Sequence, residues 1–222
     1  MTEEDIYNYI CEKYKLEEMA DCLYAKNCPK VLDLSDTYFS AKNDVTAQLL
    51  SMYLFEEVDI SSWNIKEIGN NMFYKCSNLK KVHLNNTVKT INDSAFYSCS
   101  SLDIKLPESV ETIGQLAFYR CNSLSENVFS SGIKHIGKFA FQNCINFKNV
   151  ILPNNLINID MDAFSTCTNL ETIFIPKSVT HIGYSAFSAC PNLKYLITPK
   201  GNAKRLSSLL YDDIKNLKII EK

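Results

Sequence analysis

Ile175-Pro176-Lys177-Ser178-Val179-Thr180-His181-Ile182-Gly183-Tyr184-Ser185-Ala186-Phe187-Ser188-Ala189-Cys190-Pro191-Asn192-Leu193 decides the fold, because its skeleton recurs upstream along the chain. Counting back from Cys190, cysteines stand at Cys167, Cys144, Cys121, Cys99 and Cys76, at steps of 23, 23, 23, 22 and 23 residues. Three residues before each stands phenylalanine: Phe187, Phe164, Phe141, Phe118, Phe96 and Phe73. Alanine precedes each of them except Phe73, which follows Met72. Three residues after each cysteine comes a large apolar residue: Leu193, Leu170, Phe147, Leu124, Leu102 and Leu79. Five residues before each phenylalanine comes isoleucine: Ile182, Ile159, Ile136, Ile113, Ile91 and Ile68. These columns share one period and mark a stacked-repeat protein. A single repeat cannot bury its own apolar side, whereas neighbours in a stack can.

A further column reads Gly183, Asp160, Gly137, Gly114, Asn92 and Gly69. Gly, Asn and Asp best tolerate φ > 0. The column therefore predicts one left-handed residue per turn, Asn92 and Asp160 included.

Val150-Ile151-Leu152-Pro153 and Ile173-Phe174-Ile175-Pro176 read as short strands closed by proline, which lacks a ladder donor. Carried along the chain, the register predicts strands centred on Leu32–Leu34, Val58–Ile60, Val82–Leu84, Ile104–Leu106, Asn127–Phe129, Val150–Leu152, Ile173–Ile175, Leu196–Thr198 and Lys218–Ile220. The Ala-Phe-x-x-Cys segment reads as a compact helical or 3₁₀ turn. Thr2-Glu3-Glu4-Asp5 suits a helix start, with Ile6, Tyr9, Ile10 and Tyr14 at helical spacing after it. A second helix is expected near residues 44–54, and Leu206, Leu209, Leu210 and Ile214 suggest a C-terminal one.

With these columns in place, residues 175–193 closely resemble the BspA-like, or Treponema-type, leucine-rich repeat family, and the likeness covers roughly residues 60–200. The resemblance implies a solenoid with a parallel sheet on its concave face, and roles in binding and adhesion at the surface of host-associated bacteria and protists. The expected fold is an α/β repeat solenoid, a curved right-handed leucine-rich-repeat-like stack with helical caps at both ends. It forms one domain over 1–222: an N-terminal cap and divergent first repeat (1–56), BspA-like repeats (57–199), and a C-terminal cap helix and final strand (200–222).

The net charge of -2 argues against a nucleic-acid partner. The acidic start resembles no secretory signal, and no apolar run reaches membrane-spanning length. A soluble cytoplasmic protein is expected, monomeric because capped ends do not stack; surface display by an unconventional route is the alternative. The sequons at Asn85 and Asn92 matter only on export.

The six repeat cysteines read as a packing row, since buried cysteine behaves as a small apolar group. Six thiols in line form no tetrahedral metal site, and the total of nine cysteines, with Cys11, Cys22 and Cys28, is odd. His135 and His181 share a repeat position two turns apart, roughly 10 Å at sheet spacing, too far for direct ligation. No nucleophile, zinc-protease or phosphate-loop motif occurs. Neither catalysis, nor a metal, nor a cofactor is expected.

The informative residues alternate outward along the strands. One outward column runs Val31, Glu57, Lys81, Asp103, Glu126, Asn149, Thr172, Tyr195 and Lys218. The other runs Asp33, Asp59, His83, Lys105, Val128, Ile151, Phe174, Ile197 and Ile220, polar at first and apolar from Val128 onward. Two readings fit that switch. Val128, Ile151, Phe174 and Ile197, with Tyr195 beside them, form a partner-binding stripe, or they support the sheet by stacking on one another. The function expected is protein–protein interaction without catalysis, the partner gripped on the concave face. Alternatives are a surface adhesin, or a structural solenoid that assembles through its ends.

Overall fold

In a computed structural model, residues 12–13, 31–33, 55–210 and 217–222 are described. The period seen in the sequence becomes a stack of coils that carries parallel strands on two sides. On one side lie β1 (Val31–Asp33), β2 (Glu57–Asp59) and β4 (Lys81–His83), paired in that order, and then β8 (Asn149–Ile151), β10 (Thr172–Phe174), β12 (Tyr195–Thr198) and β13 (Lys218–Glu221). On the other side the isoleucine column forms a six-stranded ladder of two-residue strands: β3 (Glu67–Ile68), β5 (Thr90–Ile91), β6 (Thr112–Ile113), β7 (His135–Ile136), β9 (Asn158–Ile159) and β11 (His181–Ile182). This second sheet was not foreseen, because two residues per strand leave no alternation to detect.

Ile104–Leu106 and Asn127–Phe129, predicted as strands, form none, so the first sheet is split into three- and four-stranded parts. For the second of these segments the cause lies in one residue. At the inward strand position held elsewhere by Val150, Ile173 and Leu196, this turn carries Asn127. A buried amide without partners is costly. The chain instead winds into a 3₁₀ turn over Glu126–Val128, which leaves Asn127 exposed and turns Val128 into the core at 0% exposure.

The left-handed positions also differ from expectation. Asn92 and Asp160 do not have positive φ, and neither do the glycines of their column. Two other positions in each turn do: the residue before alanine, or before Met72 in the first copy (Asn71, Ser94, Leu116, Phe139, Asp162, Ser185), and the residue before cysteine (Lys75, Ser98, Arg120, Asn143, Thr166, Ala189). The Ala-Phe-x-x-Cys segment is thus a run of linked turns and not a helix. Its alternate N–H groups donate to the next coil, as Phe96 N does to Ala117 O (2.8 Å) and Ser98 N to Tyr119 O (2.7 Å). Glycine is used in its column for close approach: a Cβ on Gly183 would lie 2.5 Å from the Asp160 carbonyl carbon, and one on Gly137 2.9 Å from that of Gly114.

Between the sheets the core is built of rows. The buried phenylalanines Phe73, Phe96, Phe118, Phe141, Phe164 and Phe187 stack ring on ring, with centroids 5.0–5.8 Å apart. Each such pair contributes about 0.5–1.5 kcal/mol beyond its burial. The cysteine row does more than fill space. Cys99, Cys121, Cys144, Cys167 and Cys190 each donate the thiol hydrogen to the phenylalanine carbonyl one coil back, at 2.9–3.3 Å. In the first four of these pairs that carbonyl also accepts the N–H of its own coil's cysteine, as Phe96 O does from Cys99 N (3.2 Å). Both lone pairs of a buried carbonyl are thereby used.

At the C-terminal end, α1 (Ala203–Leu209) buries Leu206 against the last coils. Asn202 (3% exposed) donates to Thr198 Oγ1, and Arg205 donates to the carbonyls of Val179 and Lys177. The carboxylate of Glu221 in β13 accepts the Ala203 N–H (2.7 Å). Of the N-terminal helix expected from residue 2, Glu12 and Lys13 are described and helical; the rest of it, the helix expected at 44–54, and Cys11, Cys22, Cys28 and Ile214 lie outside the described residues.

Candidate functional site

The split in the strand sheet shapes the surface that the sequence had marked. Val150, Ile173 and Leu196 point inward and are buried, so their neighbours Ile151, Phe174 and Ile197 point out. The register aligns Ile151 with Phe174, and Phe174 with Ile197. Tyr195 is 37% exposed beside them, while Phe174 and Ile197 are half-buried by one another.

Val128 does not belong to this stripe. It was expected to continue the apolar column outward, but its strand is replaced by the 3₁₀ turn that carries it into the core. The withdrawal removes the neighbour that would cover one flank of Ile151. Ile151 is consequently 70% exposed, far more than Phe174 or Ile197 in the same row.

Where Val128 is missing from the surface, a groove of about 720 Å³ opens. Its apolar lining is Phe129, Ile151, Leu152, Pro153 and Phe174. Lys105, Glu108 and Glu126 are at its rim, among asparagine amides and Ser131. Phe129 is fixed from below by tilted contacts with Phe141, Phe147 and Phe164, at centroid distances of 5.0, 5.6 and 6.1 Å.

Acidic side chains patch the broken ladder. In the regular coils a backbone carbonyl accepts two successive N–H groups of the next strand, as Lys148 O does from Glu171 and Thr172. At the break the Glu126 carboxylate takes that part, accepting from Lys148 N (2.7 Å) and Asn149 N (3.0 Å). Asp103 accepts from Ser125 N and Oγ at 3.0 and 2.7 Å. Glu108 accepts from Ser131 N and Oγ, and these bonds hold its carboxyl below the ordinary value.

Sequence reasoning missed Phe129, Asn127, Glu126 and Glu108 as parts of this site. The signal was present: asparagine at an inward strand position, and Ser130 where Pro153 and Pro176 close the strand in later repeats. Outside this face, burial pushes the thiols of Cys99, Cys121, Cys144 and Cys167 well up. His135 and His181 are exposed on the second sheet with Asn158 between them. Among the described residues no group of three metal-ligating side chains converges, and no helix is long and apolar enough to cross a membrane.

No curated protein matches the chain. Among solved structures, a T. pallidum leucine rich repeat protein is similar at 24% identity, with 86% of this chain and 89% of that one covered and a TM-score of 0.62. A leucine rich cell surface protein from Faecalibacterium prausnitzii A2-165 is similar at 28% identity over 77% of this chain, with a TM-score of 0.63. The present chain spans about half of that protein, 48% of its length. The BspA type leucine rich repeat region matches residues 43–148 and 90–218, in six copies. With that match running across most of its length, on the repeat columns and stacked coils described above, the chain belongs to the BspA-type leucine-rich repeat family.

Proposed function

We propose that this protein is a non-enzymatic interaction module that grips a protein partner on its strand face, with Ile151, Phe174, Ile197 and Tyr195 as the contact residues. Val128 drops out of the set and Phe129 replaces it as the floor. One observation carries the reading: Ile151 is 70% exposed on the wall of an apolar-floored groove. The core has no use for that exposure, because the Ile, Phe, Cys and Leu rows already fill it. Apolar and aromatic anchors within a polar rim are where interfaces concentrate their energy. The thiol row, unpaired among the described residues, fits a reducing compartment. An adhesin role is the second reading, favoured by the similarity to a cell surface protein.

The test places a photo-cross-linking amino acid at position 151, with position 184 as a control on another face; Tyr184 is 58% exposed. The expected result is a discrete adduct from position 151, absent from position 184 and lost when Phe174→Asp is added. Equal labelling from both positions would refute the reading. Labelling of intact cells with a membrane-impermeant reagent separates the interior module from the adhesin.

A further inference from the structure

Resting on that reading, we infer that the groove recognises its partner by strand addition: the occupant is an extended polypeptide segment that pairs with the free edge of β8 and seats an aliphatic side chain over Phe129. The four-stranded sheet ends at β8, whose one strand partner is β10. Alternate peptide groups of a parallel strand point to opposite edges. Leu152 N donates forward to Phe174 O (3.1 Å), and Lys148 O accepts from Thr172 N (3.2 Å). By that alternation the N–H of Ile151 and the carbonyls of Asn149 and Ile151 point the other way, toward the 3₁₀ turn. In the regular coils the preceding strand meets such groups. Here Val128 N and Phe129 N bond within their own turn, to Ser125 O and Glu126 O. Among the described residues nothing accepts the Ile151 N–H.

Glu126 closes one end of this edge by accepting Lys148 N and Asn149 N, so the free stretch is short and starts at Asn149 O. Exposed strand edges are templates for pairing. Peptide recognition by strand addition draws affinity from the main chain and selectivity from pockets for alternate side chains. The pocket here is the apolar lining of Phe129, Ile151 and Phe174. The rim sets two carboxylates, Glu108 and Glu126, against the single ammonium of Lys105. Charge complementarity therefore selects a basic residue beside the aliphatic anchor.

A random peptide display library, panned on the full chain and counter-panned on the Phe174→Asp variant, supplies the probe. Enriched peptides are expected to alternate apolar and polar residues and to carry Lys or Arg next to an aliphatic one. N-methylation of one alternate amide should weaken a representative peptide at least about tenfold, while methylation of its neighbour leaves binding unchanged. Hydrogen exchange at Ile151 N–H should slow by about the same factor in the complex. Ile151→Asp, whose side chain projects into solvent, serves as the second variant if Phe174→Asp melts early. Peptides that bind through Phe174 yet ignore N-methylation and leave Ile151 exchange unchanged overturn strand addition while leaving the interaction module standing. Peptides that bind the parent and both variants equally, or no enrichment at all, also overturn this inference. In those cases cross-linking from position 151 decides the interaction module separately.

Discussion

Gly183→Ala tests why one column of the repeat is built of glycine. Gly183 has no positive φ, so alanine can adopt its backbone conformation. The obstacle is the coil beneath: the added Cβ would lie 2.5 Å from the Asp160 carbonyl carbon and 2.8 Å from the Met161 Cα, with the Met161 nitrogen closer still. Ordinary van der Waals contact begins at 3.4 Å, so the coils must part by close to an ångström. Gly183 N donates to Ile159 O at 2.7 Å, and that bond stretches as they part. Overpacking costs about 1–3 kcal/mol, and a weakened backbone bond adds about 1 kcal/mol. A total near 3 kcal/mol corresponds to a fall in Tm of roughly 6–12 °C for a chain of this size. The control is Gly69→Ala in the same column, where among the described residues nothing lies within 4 Å. That change should be neutral, or stabilising by a few tenths of a kcal/mol up to about 1 kcal/mol, through the lost entropy of the unfolded chain. Thermal and urea melts followed by circular dichroism read both variants. Equal shifts for Gly69→Ala and Gly183→Ala would refute close approach as the reason for the column.

Val128→Asp should destabilise by about 3 kcal/mol or more, since it places a carboxylate at a site with 0% exposure, whereas Ile151→Asp should melt within about 0.5 kcal/mol of the parent; urea midpoints measure both. Cys144→Ala should cost about 1–2 kcal/mol from the cavity and the undonated Phe118 carbonyl, and native-state thiol labelling should leave Cys144 unmodified because burial keeps its thiol protonated. The Glu221 carboxyl is held below its ordinary 4.5 by the N–H of Ala203 and then that of Gly201, so its contribution is present above pH 4.5 and lost as pH falls through the lowered value. Glu221→Gln should remove that acid-dependent part, seen as a smaller fall in melting temperature between neutral pH and about pH 3.

The sequence by itself determined the stack. Six coincident columns specify that the coils repeat, that the Ile, Phe, Cys and Leu rows face inward, and that Ile151, Phe174, Tyr195 and Ile197 lie on the strand face, because each follows from side-chain alternation and a fixed period. The φ pattern was beyond it. A glycine column is compatible with a left-handed residue or with a close neighbour, and only the distance from Gly183 to Asp160, more than twenty residues away in the chain, separates the two. The second sheet was likewise hidden, since its two-residue strands are strands only by pairing with adjacent coils. The groove was decided at the tertiary level as well. Asn127 could have kept the strand and buried its amide, or broken the strand and kept its solvent. The balance lay in the alternatives the fold supplied: the Glu126 carboxylate replaces a lost ladder carbonyl, and Phe129 rests on Phe141, Phe147 and Phe164. Those partners come from successive coils, so the break at Asn127 becomes stable, and Ile151 becomes exposed, only once the coils are stacked.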